Sequence, residues 1–552
     1  MVTNQSLINM KNSVKTKYTL VVAALALLAG LAGCKKMNTS DISGPERLFK
    51  PGAVKVSAGQ TAAQVTWTNS ILTSGGKYTY TAQFSRDTTF ATVDFTMKSD
   101  TTGVTATNDS LKVRTKYWVR VKTNAYQNQP ESKWAESSAF QISGEQYFLA
   151  VRELEIKETS VTLRFTNTPG LSKITLTPAQ GAATDVALSA ADLTAGLKVI
   201  TGLNANTAYN AELYAGTKSK GYTTFTTLPL TVYTTILNAG ADLNAAVSAA
   251  ANGDVIGLNP GTYTASATNT IFLLKNVTIK STSGNPSDTK VLFKEFTLKG
   301  NGAGLKLSGI ECDGAGTAAY FINLTGAVAD ADAATFSNVT VENCYVHNIT
   351  TCFLRANRAA LAAHKIDYIK VTNTVAYDNA VSSYDFFTLD KLTFNSLSVT
   401  KSTFYNLSRS LVNSTTTQPA GTPAPSISFD RCTINNLGTD ASKYVLVDVN
   451  ANPATIAFTN CIMGNVPRSG GVAAAAIRGS ASTITFSNNN EFKFVTTPGG
   501  TTAITLPTNA AFNQTVDPGW TATTTDFTLA QDSPLRIASP TAGPIGDPRW
   551  AY

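Results

Sequence analysis

An all-β chain ending in a parallel β-helix is what the sequence predicts, and three observations carry that reading. The first is a repeat. The stretch Ile427-Ser428-Phe429-Asp430-Arg431-Cys432-Thr433-Ile434-Asn435-Asn436-Leu437 returns at residues 456–466, 397–407 and 339–349, and more weakly at 369–379, 305–314, 277–285 and 484–494. The Cys432 slot is filled in turn by Thr282, Ile310, Cys344, Thr374, Ser402, Cys432, Cys461 and Asn489, at steps of 28 to 34 residues. The second is periodicity. Ile427 and Phe429 alternate, a skip of three leads to Cys432 and Ile434, and another skip leads to Leu437. Period two is a strand with one buried face, and each skip is a corner that turns the next strand inward. A third strand follows at residues 353–356, 386–389, 411–413, 445–449 and 475–477, which makes three strands per coil. The third is composition: only 14% of residues are charged and 43% are hydrophobic, in a chain rich in Thr, Ser, Asn and Ala. That is the balance of an extracellular β protein.

Coils stacked about 4.8 Å apart turn each slot into a ladder. Small and thiol residues at the Cys432 slot therefore predict an interior stack. Cys432 and Cys461 on adjacent rungs lie within reach of a disulfide, and stacked free thiols are the simpler reading. Asn348, Asn406, Asn436 and Asn465 recur at a corner, where Asn tolerates a left-handed turn and bonds its neighbours along the stack.

Taken in order, the chain opens with a basic stretch carrying Lys11, Lys15 and Lys17 and an apolar run at residues 20–31, which is too short for an ordinary membrane span. It ends in Leu31-Ala32-Gly33-Cys34, which resembles the bacterial lipobox. Residues 1–34 are then the signal peptide and lipobox; the resemblance implies cleavage before Cys34, which becomes the mature N-terminus and carries the lipid, and Lys35 in the following position favours the outer membrane. Residues 35–51 form a polar tether. Removing the three lysines leaves about +5 of the formal +8 charge, too little over so long a chain to indicate nucleic acid. The membrane is then met through the lipid alone.

Residues 52–144 read as separate short strands, with Val65 and Trp67 alternating on one face. Leu111-Lys-Val-Arg-Thr115-Lys-Tyr117-Trp-Val119-Arg-Val121 and Ser132-Lys-Trp134 resemble the fibronectin type III pattern, whose tyrosine anchors the preceding corner. Residues 145–229 repeat it, with Val161-Thr-Leu163-Arg-Phe165 and Leu203-Asn-Ala-Asn-Thr207-Ala-Tyr209. Such modules are expected to be spacers, although Trp118 and Trp134 can stack on sugar. Residues 230–552 form the β-helix. Leu243, Ala246, Val247 and Ala250 mark a short helix behind Asp242 as N-cap, leading into Asn259-Pro260-Gly261 and the first coil. This resembles the capping helix of pectate-lyase-like right-handed β-helices, and the Pro/Gly-rich tail around Gly546-Asp547-Pro548-Arg549-Trp550 resembles their closing segment. The whole chain resembles glycan-foraging surface lipoproteins that join two fibronectin type III-like β-sandwiches to such a helix.

The sequence singles out no catalytic residue. The polygalacturonase pattern is absent, since His347 is followed by Asn and His364 by Lys, and neither Trp-x-Asp-His nor Arg-x-Pro-x-x-Arg of the pectate lyases occurs. No metal ligand set and no cofactor are read from the sequence; Ca²⁺ enters only if the chain is a lyase. Asp330-Ala-Asp332 comes nearest to a calcium cluster, but a solvated loop accounts for it better. Arg355, Asp390, Asp448 and Arg478 fall near equivalent outward positions of the third strand, with Arg358 close by, between flanking loops. They form either the floor of a glycan-binding groove or a set of exposed ion pairs worth about 0 to 1 kcal/mol each.

The expected function is binding, or help in processing, of a pectin-like or other extracellular polysaccharide at the cell surface, within an outer-membrane glycan-uptake complex. A divergent lyase acting on uronate-containing glycan and a structural stalk or adhesin are the alternatives. Cys34→Ala is expected to leave a soluble, unacylated precursor; labelling with palmitate and membrane fractionation check this, and a labelled, membrane-bound variant would refute the lipobox.

Overall fold

The computed structural model describes residues 46–71, 73, 77–380, 383–439 and 444–551. The targeting segment with Cys34 and most of the tether lie outside the described residues. The chain is all-β with few helices. In the first module Lys55–Ala58, Ala62–Thr66 and Gly103–Thr107 form one antiparallel sheet, and Phe95–Ser99, Tyr80–Ser85, Trp118–Thr123 and Ala135–Glu136 form another. Val65, Trp67, Phe84, Val119 and Val121 are buried between them. The second module pairs Leu197–Thr201 with Ser160–Arg164 and forms a second sheet of Thr184–Ala187, Leu171–Pro178, Ala208–Ala215 and Lys218–Thr226. In both modules the expected tyrosine is buried and its hydroxyl accepts a backbone N–H five residues back, Lys112 to Tyr117 at 3.2 Å and Asn204 to Tyr209 at 2.9 Å. The two modules are fibronectin type III-like.

Beyond them lies a β-solenoid of about eight turns. Its first strands make a ten-stranded parallel sheet running from Thr235–Leu237 through Val255–Leu258, Ser426–Asp430 and Thr455–Thr459 to Thr483–Ser487. Ile427 stands between Leu397 and Ile456, and Phe429 between Val399 and Phe458, so the repeats stack in the expected register. Thr235–Leu237 is a strand that the repeat does not reveal, because it precedes the helix and has only one partner. The helix Leu243–Ala249 begins at Asp242, whose side chain accepts the Ala245 N–H, and it buries Leu243 and Val247 in the solenoid core.

The Cys432 slot is interior, as expected: Ile310, Cys344, Thr374, Ser402, Cys432, Cys461 and Asn489 are all inaccessible. Thr282 departs from the column. It is half-buried, and Ser281 is buried in its place. The five cysteines of the described residues are free and buried. Polar members of the slot bond the neighbouring coil, as when Thr374 N donates to Ser402 Oγ at 3.1 Å and Cys461 N to Asn489 Oδ1 at 2.9 Å. Asn348, Asn406, Asn436 and Asn465 all have φ between 51° and 60°, and Asn436 Nδ2 reaches Asn406 Oδ1 at 2.7 Å.

The second strands place Val291, Cys312, Val346, Ala376, Phe404, Ile434, Met463 and finally Glu491 in one inward column. Their outward face carries Val375, Tyr405, Ile462 and Phe492, which the tail covers with Trp520, Phe527, Leu529, Leu535 and Ile545. The tail is locked by its last turn. Asp547 Oδ2 accepts from Thr403 Oγ1 at 2.7 Å, Asp547 N donates to Thr433 Oγ1 at 3.0 Å, and Gly546 N donates to Asn460 O at 2.7 Å.

Two predictions follow from these columns. Cys432→Arg puts an unpaired charge into a packed stack and is expected to cost several kcal/mol, whereas Cys432→Ser repeats Ser402 and should be mild; thermal unfolding with equal midpoints for both variants and wild type would refute the inward placement. Burial pushes the Glu491 carboxyl up to about 8. The folded chain therefore holds this proton more tightly than the unfolded chain, so the stability it confers is full below about pH 4.5 and is lost as pH rises through about 8. Urea unfolding at pH 5 and pH 9 should show Glu491→Gln losing less stability than wild type across that range, by a few kcal/mol at about 1.4 kcal/mol per pK unit; identical losses would refute it.

Candidate functional site

The third strands carry the charged column expected from the sequence, with a change of membership. Asn323, Arg355, Thr388, Asn413, Asp448 and Arg478 stand in register. Asp390 lies two residues beyond Thr388, outside the column, and holds a loop by accepting from Thr416 N and Thr416 Oγ1, both at 2.6 Å. Arg478 and Asp448 form a two-pronged ion pair at 2.7 and 2.8 Å, with the guanidinium 4.6 Å from the Tyr444 ring centre. Arg355 lies over the Tyr320 ring at 4.7 Å and the Tyr384 ring at 5.4 Å, and donates to the Tyr320 hydroxyl at 2.6 Å. Arg358 reaches Asp330 at 2.7 Å. Asp332 accepts the Ala329 N–H at 2.7 Å, so the two carboxylates of Asp330-Ala-Asp332 are held apart on different duties. Arg358, Asp448 and Arg478 are matched by opposite charges and Arg355 and Asp390 are held by neutral partners, so a ligand here competes with existing partners.

A larger concavity lies elsewhere. A cleft of about 800 Å³ opens between the second module, the corner that joins first to second strands, and the tail. Arg152, Glu153 and Lys157 face it from the module. Asn343, Asn373, Lys401, Arg431 and Asn460 form its solenoid edge, one from each successive coil, all with φ between 50° and 54°. Pro540, Pro544 and Arg549 come from the tail, and Tyr345 lies beneath the Arg549 guanidinium at 5.8 Å. The module is fastened on either side of this opening. Lys157 Nζ donates to Gly284 O at 2.7 Å, Lys280 meets Glu158 at 2.6 Å, and Lys401 pairs with Glu153. Burial, with Lys280 nearby, pushes the Lys157 ammonium below its ordinary range.

Tyr345 is the strand partner of Glu311, and a compact group of polar side chains begins there. Glu311 and Asp313 face outward on one coil, Lys290 on the coil before, His347 on the coil after and Tyr377 on the next. Lys290 Nζ lies 2.7 Å from Glu311 and 3.6 Å from Asp313, and His347 Nε2 lies 3.0 Å from Glu311. The Glu311 carboxylate holds the Lys290 ammonium above its ordinary range. Burial pushes the Asp313 carboxyl up, but the Asn348 amide, the Ala315 N–H and the neighbouring His347 and Lys290 together outweigh it and leave the group low. Sequence reading missed this group because its members lie far apart and each is an ordinary outward residue of its own repeat. The signal was present: Asp313, His347 and Tyr377 each stand three places after Ile310, Cys344 and Thr374, which the repeat had already aligned.

Residues 261–407 match the model of DUF4957 and residues 427–550 that of DUF5123, both described as domains of unknown function. No curated protein matches the chain. Among solved structures, the chain is similar to the FN1–FN3 domains of chicken CNTN1, at 14% identity over 34% of this chain and 69% of that one, TM-score 0.16. It is similar to a two-domain fibronectin type III segment of chicken tenascin, at 16% identity over 32% and 97%, TM-score 0.17. A mutant of the PL6 family alginate lyase AlyGC is 16% identical over 57% of this chain and 47% of that one, TM-score 0.33.

Proposed function

We propose that the chain is an outer-membrane lipoprotein, anchored at the cell surface through Cys34, that binds an extracellular polysaccharide in the cleft between its second module and a right-handed helix. In this reading the modules are fibronectin type III sandwiches, the helix Leu243–Ala249 plugs the open end of the stack, and a glycan-uptake complex is the partner. The cleft is the observation that carries it. Asn343, Asn373, Lys401, Arg431 and Asn460 place donor groups on five successive coils, about 4.8 Å apart. The Asn343 and Asn460 amides each donate one N–H, to Gly284 O and Asp430 Oδ1 respectively, and keep a second. An extended chain of hydroxyls laid along the axis meets a donor at each rung. Lys401 and Arg431 are paired with Glu153 and Asp430. Such part-exposed pairs open at little cost, which lets uronate carboxylates take the place of the protein's own. An acidic polysaccharide is the preferred class. The columns of Arg355, Arg358, Asp448 and Arg478, with Asp390 beside them, form a secondary glycan-contacting strip.

The lyase alternative is favoured by one observation, the Lys290, Glu311, Asp313 and His347 group beside Tyr345 at the cleft wall. Incubation with polygalacturonate or alginate and Ca²⁺, followed by absorbance of the unsaturated product, separates it from binding without cleavage.

Affinity electrophoresis through gels containing polygalacturonate, alginate or a neutral glucan tests the leading reading. Acidic gels should retard the protein. Lys401→Asn with Arg431→Asn, which installs the residue that Asn373 and Asn460 already supply at this turn, should weaken retardation about tenfold without lowering the melting temperature. Equal mobility in all gels would refute glycan binding and leave the stalk reading.

A further inference from the structure

Beyond the cleft, the outward group on the second strands has a geometry that glycan binding leaves unused. We propose that Glu311, Asp313 and His347 form a binding site for a first-row divalent transition ion, with Zn²⁺ as its probe. The inference stands apart from the glycan reading, since it rests on the donor set alone.

One donor atom from each of the three residues lies within 4.8 Å of the other two. Tetrahedral bonds of about 2.0 to 2.2 Å to zinc set donors about 3.3 to 3.6 Å apart. The donors therefore draw in by up to about an ångström when the ion enters. The imidazole is already placed: His347 is 6% exposed, its ring lies flat on Tyr377 at 4.7 Å and 8°, and it is aimed between the two carboxylates. Its Nε2 meets Glu311 Oε1 at 3.0 Å and its Nδ1 stands 3.7 Å from Asp313 Oδ1, so each ring nitrogen faces one of the two carboxylates. Outer partners orient the oxygens as they do at metal sites, with Asn348 Nδ2 and Ala315 N each donating to Asp313 Oδ1 at 2.8 Å.

Charge points the same way. Lys290 Nζ bridges Glu311 and Asp313, where a cation between them would sit, yet one ammonium offsets only one of two carboxylates. The carboxylate side chains are only 18% and 14% exposed, so water compensates the remainder poorly. A dication that displaces the Lys290 head balances both, and Lys290, at 35% exposure, has solvent to move into. Two carboxylates with an imidazole suit zinc or manganese; Ca²⁺ prefers six to eight oxygens.

Calorimetric titration of Zn²⁺ into the purified full-length chain, free of any histidine tag, tests the site. The wild type should take up one ion at this site. Lys290→Met, which removes the competing ammonium, should bind at least tenfold more tightly, and His347→Gln and Asp313→Asn should each bind at least tenfold more weakly. Circular dichroism without metal identifies any variant that has failed to fold, and either of the last two can then serve alone. A wild type that takes up no Zn²⁺, or binding unchanged in the folded His347→Gln or Asp313→Asn chain, overturns the site. Unchanged affinity in Lys290→Met overturns the displacement of the ammonium, and Ca²⁺ binding as tight as Zn²⁺ overturns the class of ion.

Discussion

Parallel stacking in register is the constraint on which everything else in the solenoid depends. A coil of this kind bonds its backbone almost wholly to the coils on either side, so every corner must repeat the conformation of the corner beneath it. The turn between first and second strands is left-handed at Asn343, Asn373, Lys401, Arg431, Asn460 and Asn488, and the turn after the second strand at Asn348, Asp378, Asn406, Asn436, Asn465 and Lys493. That conformation costs an ordinary residue about 1 to 2 kcal/mol and asparagine less. Ladder bonds such as Asn406 to Asp378 at 2.8 Å offset part of it. Positions that must repeat are thereby separated from positions free to vary, and the free ones are the outward columns and the loops.

The tail follows from the same arithmetic. An outward face bearing Tyr405, Ile462 and Phe492 would be an exposed apolar patch, and residues 515–551 cover it with a small core of their own. Asp547 fixes the end of this strap. Burial pushes its carboxyl up, against the Arg549 guanidinium, its backbone N–H and the Thr403 hydroxyl, which favour the charged form. Cover by the strap reaches Val375 and Tyr345. Earlier coils bear Lys290, Glu311 and Asp313 on the same face, so the polar group begins where the apolar cover ends.

The second module forms a wall of the cleft in this arrangement, because seven of its residues line the opening and contacts from Glu153, Lys157 and Glu158 tie it to the solenoid. Each contact is individually worth little. Together they hold a wall opposite the Asn343 to Asn460 edge, and a wall at fixed distance is what distinguishes a cleft from a bare surface.

What the sequence by itself determined is what repeats. Strand alternation, the inward Cys432 slot, the asparagine corners and the tyrosine corners at Tyr117 and Tyr209 were all legible, because each depends on residues close in sequence or on a period that a single chain displays. The strand at Thr235–Leu237 was not, since it lies outside the period. Nor was the departure of Asp390 from its column, since one or two extra residues in a loop shift an outward position without disturbing the apolar pattern. The cleft and the Glu311, Asp313 and His347 group were decided only by tertiary structure. The cleft needs a module, a corner and a tail from three distant parts of the chain, and the polar group needs side chains from successive coils brought side by side by stacking. Burial and register create those neighbours, and no local propensity encodes them.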